Sequence, residues 1–259
     1  MKRILFLVSL LFFSVPAYAG ATISIWPVKV SLWPAKKLDA VHLVNQGNES
    51  VKVQIYAKSW DMDENGQFIE ADTGDFIFFP RLATIAPNED KAIRVGYRGV
   101  FPATEKPYRL YFEELPPIRQ PIPAERGQSE LGIQTTLKLS VPLFVRPSAN
   151  LPAPQLSITA TKKTDNSLRV GIHNEGTHNF LLTGGTLELF DSRSRPVFSK
   201  EVKVLQRVLP QRHLFVEVPL DNAPCTEAGT LEFKWVLEGQ EVPYVKRFPT
   251  QRGCIPIIM

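Results

Sequence analysis

Residues 131–147 read LGIQTTLKLSVPLFVRP, and the fold turns on them. Leu131, Ile133, Leu137, Leu139, Val141 and Leu143 recur at every second position, interrupted only by Thr135, with Gln134, Thr136, Lys138 and Ser140 between them. That is the period of a strand with one apolar and one polar face. At about 3.3 Å per residue the stretch spans roughly 45 to 50 Å, well beyond the usual strand of about 5 to 6 residues, so one compact sheet is not expected to cover all of it. Pro142 has no N–H to give a ladder, which also points to a sheet edge. A long, alternating, aliphatic edge strand invites another chain to add to it. An ordinary sandwich strand running into a linker would show the same alternation.

The surrounding chain has 259 residues, 44% hydrophobic and 22% charged, enough for two domains of about 120 residues each. Met1-Lys2-Arg3, the apolar run Ile4 to Val15 and then Ala17-Tyr18-Ala19 have the layout of a secretory signal peptide over residues 1–19. The apolar run is shorter than the roughly 20 residues a membrane span needs, so no membrane insertion is expected. Without the signal, 28 basic residues stand against 26 acidic ones, too small an excess to suggest nucleic acid. The two cysteines, Cys225 and Cys254, fit an oxidising compartment and are expected to pair. Closing a loop of about 30 residues contributes roughly 3.6 kcal/mol in the chain-entropy picture.

Prolines (22) and glycines (15) punctuate short alternating runs, and no long stretch has apolar residues at helical spacing, so the fold class is all-β. Ile23 to Leu32 reads as a first strand with Pro27 inside it, an edge or switch-point signal. Strands follow at His42 to Val44, Val51 to Ala57, Phe76 to Phe79, Ala92 to Tyr97 and Tyr108 to Glu113. The proline-rich run Arg146 to Pro154 reads as a stiff hinge, which gives domains at 20–147 and 148–259. The halves echo one another: Asn45-Gln46-Gly47 matches Asn174-Glu175-Gly176, and Ile85-Ala86-Pro87 matches Val208-Leu209-Pro210. Two echoes in the same order suggest two copies of one β-sandwich.

Catalytic and metal chemistry finds little support, and no cofactor is expected. Asp61, Asp63, Asn65, Gly66 and Asp72 approach a calcium-loop pattern, but alternating strands flank them where that loop joins helices, so Asn65-Gly66 reads as a hairpin turn. The four histidines have no metal spacing, and Glu113-Glu114 on a strand would point to opposite faces.

At the level of landmarks the chain resembles the PapD-like periplasmic pilus and fimbrial assembly chaperones. The resemblance rests on Asn45 and its turn, Trp60 ahead of Asp-Glu-Asn-Gly, Pro80, Pro87, Arg94, the run Leu110 to Pro117, and Leu143-Phe144-Val145-Arg146-Pro147. It implies two immunoglobulin-like sandwiches set in an L, a periplasmic location, pilus subunits and an outer-membrane usher as partners, and no enzyme activity. It also implies that the long strand completes the sandwich of a subunit by strand addition, with Leu131, Ile133, Leu137, Leu139 and Val141 as donor side chains. The family holds the subunit's C-terminal carboxylate between two cleft cations. Lys29 matches the first, in place of the usual arginine; the second aligns with Pro142, and Lys138 on the same face is the substitute expected here, with Arg109 on the preceding strand as the next candidate. Glu105 and Arg146 match a salt-bridge pair near the domain junction. Pro142, the long strand and the late cysteines are similar to the archaic branch of the family. The competing class is a structural or adhesive sandwich protein of a surface coat, although such a subunit would be a single incomplete domain.

Overall fold

The computed structural model describes residues 22–116, 135–164, 166–225, 229–251 and 254–256, and every regular element among them is a strand. The expected signal peptide, together with Leu131 and Ile133, lies outside the described residues. The first half contains β1 (Ile23–Trp26), β2 (Val30–Leu32), β3 (Leu38–Asn45), β4 (Val51–Met62), β5 (Phe68–Asp72), β6 (Phe76–Phe79), β7 (Leu82–Ile85), β8 (Asp90–Tyr97), β9 (Lys106–Glu114) and β10 (Lys138–Val145). One sheet runs β1-β3-β8-β6; the other runs β2-β10-β9-β4-β5, with β7 also on β4. The expected single strand Ile23 to Leu32 is in fact two. β1 pairs with β3 in one sheet, and after Pro27 the chain crosses to the other, where β2 lies parallel to β10.

The second half contains β11 (Leu156–Thr164), β12 (Ser167–Asn174), β13 (Phe180–Phe190), β14 (Pro196–Val202), β15 (Gln206–Val208), β16 (His213–Pro219), β17 (Gly229–Leu237), β18 (Tyr244–Gln251) and β19 (Ile255–Pro256). They form a β11-β12-β16 sheet facing a β14-β13-β17-β18-β19 sheet, with β15 on β13. Together the halves are two immunoglobulin-like sandwiches. Cys225 and Cys254 are joined, fastening the end of the second sandwich to its own core, where Cys254 is buried.

The sequence echo has a structural counterpart. Asn45 and Asn174 are both fully buried. Asn45 Nδ2 donates to the Glu49 and Ile85 carbonyls, and Gly47 N donates back to its Oδ1. Asn174 does the same with His178, Val208 and Gly176. Each asparagine therefore ties the turn after its strand to the Ile85 or Val208 end of a second strand. An apolar residue there would leave buried carbonyls without donors. Backbone bonds repeat as well, Asn88 N to Asn45 O and Gln211 N to Asn174 O.

Each sandwich has its own core, and the boundary between the cores is where alternation fails. On β4, Val51, Val53, Ile55 and Ala57 face the first core, whereas Trp60 and Met62, of the opposite parity, are buried against the second. On β10, Val141, Leu143 and Val145 face the first core while Phe144 between them joins the second. The part of the first sandwich's outer face around Trp60, Met62 and Phe144 is thus docked on the second domain. Burying Trp60, Met62 and Phe144 is worth about 5 to 9 kcal/mol gross, before the cost of ordering the junction.

Candidate functional site

The regular part of the long strand is shorter than its alternation suggests: β10 begins at Lys138, and residues 135–137 precede it without strand pairing of their own. β10 pairs with β9 along its whole length, from Lys138↔Glu113 to Val145↔Lys106. On its other side β2 covers only Leu143 to Val145. Among the described residues nothing pairs with Lys138 to Pro142 on that side, so the edge is open over five residues and Pro142 sits where a missing N–H costs no ladder bond.

The apolar face of β10 starts in the first core and runs out of its end. Val141 is only 4% exposed and packs with Leu143 and Val145. It therefore does not stand open with the other expected donor positions, being buried in its own core. Leu139 is half-buried against the edge of the same core. Leu137, also half-buried, lines a narrow apolar seam with Ile23, Leu43, Val51, Val53 and Phe112. Leu137 N donates to Glu114 Oε2 at 3.0 Å and Leu137 O accepts from Glu114 N at 2.8 Å, which holds the strand against β9 as it leaves the sandwich.

The outer face carries the cations. Leu143 is beside Val30 in the parallel pairing, so the residue before Val30, Lys29, comes alongside Pro142. Pro142 is directly opposite Arg109 on β9. Continuing that register one residue beyond β2 puts Lys29 and Arg109 on either side of Pro142, two interstrand steps or about 10 Å apart along the backbone. Arg109 is held by stacking over Trp60, 4.4 Å to the ring centroid, and by Glu70 at 3.3 Å. Lys138, the substitute expected from the sequence, is elsewhere: it lies four residues along β10, about 13 Å from that row. Its ammonium is 4.9 Å from the Tyr111 ring, and hydrogen bonding to Tyr56 raises its pKa. Burial, with the hydrogen bond to Glu70 second, pushes the Tyr111 phenol up to about 12, so the ring beside Lys138 stays protonated at physiological pH.

A second group of polar residues crosses from one domain to the other. Glu105, 3% exposed, accepts from Arg146 Nε at 2.9 Å and from Asn179 N at 2.9 Å and Nδ2 at 2.5 Å. Asn179 Oδ1 accepts from Arg207, whose guanidinium lies 5.4 Å from the Phe144 ring centroid and whose pKa is lowered by burial. Arg207 is 3.6 Å from Glu238, and Glu238 is 3.3 Å from Lys29. Asp61 and Arg212 form a further two-pronged bridge between the domains, 2.7 and 2.8 Å. The reading of the sequence missed Arg207, Glu238, and Trp60 and Phe144 as contacts between domains. The one signal available was Trp60 and Phe144, large aromatics on what alternation marks as the wet face.

Residues 22–150 match the family model described as pili and flagellar-assembly chaperone, PapD N-terminal domain. The whole architecture matches solved structures at low identity. A chain of the CsuC–CsuE chaperone–tip adhesion subunit pre-assembly complex from the archaic chaperone-usher Csu pili of Acinetobacter baumannii has a TM-score of 0.61 at 18% identity, over 88% of this chain and 98% of that one. The E. coli chaperone DraB gives 0.55 at 18%, over 89% and 98%. A chain of the Salmonella enterica SafA pilin complex with the SafB chaperone gives 0.56 at 16%, over 88% and 96%. At these identities the likeness is one of fold. No curated protein sequence matches the chain.

Proposed function

The first domain of this chain belongs to the PapD family of pili and flagellar-assembly chaperones, and from that premise we propose that the protein captures pilus or fimbrial subunits by lending them the open edge of β10. The observation that carries this is the edge itself: Lys138 to Pro142 has a sheet on one side only, and its apolar face runs from the buried core to the half-buried Leu139 and Leu137 at the core's edge. A subunit lacking a strand gains ladder hydrogen bonds along that edge and places its groove over those side chains. With Leu131 and Ile133 added from the sequence, four aliphatic side chains contribute about 6 to 12 kcal/mol gross, from which docking and ordering costs are subtracted. That range fits a complex that is stable yet able to hand its subunit on, without a nucleotide or any other cofactor.

The subunit's C-terminal carboxylate is held between Lys29 and Arg109. Arg109 reaches from β9 the place that Pro142 leaves without a cation on β10, and its planar fork suits a carboxylate better than a lysine does. The Glu105–Arg146 pair fixes the angle between the domains and hence the walls of the cleft. The leader at residues 1–19 delivers the protein to the periplasm, where it works as a binding protein rather than an enzyme and passes its cargo to an outer-membrane usher. Pro142, the long alternating strand and the late cysteine pair support the archaic branch of the family. The test is periplasmic co-expression with the products of neighbouring reading frames: a one-to-one complex with a subunit is expected. A chaperone that emerges alone beside aggregated subunits would count against the proposal.

A further inference from the structure

Lys29 does not wait empty in the free protein. Its ammonium is 3.3 Å from a carboxylate oxygen of Glu238, which belongs to the second domain and follows β17 in the turn Leu237 to Gln240. The same oxygen is 3.6 Å from Arg207, and the Glu238 side chain is 47% exposed, so it can leave without unfolding anything. Its backbone is fixed by the bond from Glu238 N to Leu181 O at 2.9 Å. Arg109 has its own acidic neighbour, Glu70, but that residue comes from the same domain and the same sheet.

The structure assigns Glu238 as the resident carboxylate of the subunit anchor, occupying Lys29 until a subunit's C-terminal carboxylate displaces it. This rests on the anchor role of Lys29 proposed above. The chemistry is an exchange of one carboxylate for another on a single ammonium. When displaced, Glu238 keeps Arg207, and Arg207 reaches Glu105 and Arg146 through Asn179. Filling the anchor therefore exchanges a contact between the domains for one to the subunit, and loosens the tie of the β17 turn to the first domain. Glu238 also sets selectivity, because an uncharged or displaced chain end cannot compete with it.

Carbodiimide coupling, which joins a carboxylate to an amine only in contact, reads this directly. In the free protein an amide link between Lys29 and Glu238 is expected, beside a reference link between Lys234 and Glu188, which are 2.7 Å apart on the far sheet. In the purified subunit complex the first link should vanish and the reference link persist. Glu238→Gln should retain about two- to fivefold more subunit at limiting concentration, and that gain should disappear in the Lys29→Ala background. A Lys29–Glu238 link that survives in the complex, or is missing from free protein that shows the reference link, overturns the assignment while leaving the capture reading intact. If Lys29→Ala itself captures subunit like the wild type, the anchor reading fails and this inference falls with it.

Discussion

Replacing Arg109 with alanine separates what the residue does for the fold from what it does for a bound chain end. In the free protein the guanidinium loses its stack on Trp60, at 4.4 Å, worth about 0.5 to 1 kcal/mol, and its half-exposed pair with Glu70, worth about 0.2 to 1 kcal/mol. The thermal midpoint should fall by about 2 to 6 °C for a chain of this size. In the complex it also loses a charged contact in a partly dry cleft, worth about 1.5 to 3 kcal/mol, so subunit retention should fall about 10- to 150-fold beyond the protein lost. Arg109→Lys should recover part of the capture but not the midpoint, since the charge returns without the planar stack. Lys138→Ala should change neither appreciably, because Lys138 lies over Tyr111, away from the Lys29 row. The assay is the ratio of co-purified subunit to chaperone by quantitative mass spectrometry, beside the melting curve of each free variant. The reasoning is refuted if Lys138→Ala loses subunit as severely as Arg109→Ala, or if Arg109→Ala loses it only in proportion to unfolded protein.

Glu105→Ala leaves Arg146 without its buried partner and Asn179 N without an acceptor, and should destabilise the junction by about 3 to 5 kcal/mol, visible in calorimetry as two separated domain transitions in place of one. Asn45→Ala and Asn174→Ala each remove two donated bonds and one accepted bond at a fully buried site, so each should cost about 3 to 4 kcal/mol, read by denaturant titration as a loss confined to its own sandwich. Arg212 holds the Asp61 carboxyl below its ordinary 3.8, so this bridge stabilises the docked domains above about pH 4 and is lost as pH falls through the depressed native value; Asp61→Asn should remove that acid-dependent step from a stability-versus-pH series.

Much of the fold was legible because β-sandwich cores write themselves as period-two alternation. Val51 to Ala57 and Val141 to Val145 announce their inward faces, and Asn45 and Asn174 announce the repeated joint. What alternation does not encode is contact made on its wet face. Trp60, Met62 and Phe144 are polar-face residues by parity and buried in fact, because a second domain covers them. The proposed anchor shows the same limit. Reading along one strand offered Lys138, four residues from Pro142, ahead of Arg109 on the preceding strand, and only the register puts Arg109 directly opposite Pro142. Register across a sheet decides such neighbours, and a single sequence does not state it. Glu238 and Arg207 were invisible for a related reason, since their roles exist only once the second domain is docked against the first. Val141 failed in the opposite direction: the alternation marks it as apolar without saying where its own core ends.

Leu137→Glu decides whether the apolar end of β10 serves a partner or the protein's own core. Leu137 is half-buried at the mouth of the sandwich, so a carboxylate there can turn to water in the free chaperone, and the thermal midpoint should fall by no more than about 4 °C. In a subunit groove the same charge has no such exit and costs several kcal/mol, so retention should drop at least about 100-fold. Thr136→Glu, beside it on the exposed face, should retain subunit close to wild type. The measurement is co-purified subunit per folded chaperone for these two variants and the wild type, with the melting curve of each free protein. A large loss for Leu137→Glu alone, with its midpoint nearly kept, is the predicted result. A midpoint that falls as for a buried core substitution, with bound subunit falling only in step, would make this end of β10 ordinary core and contradict the account.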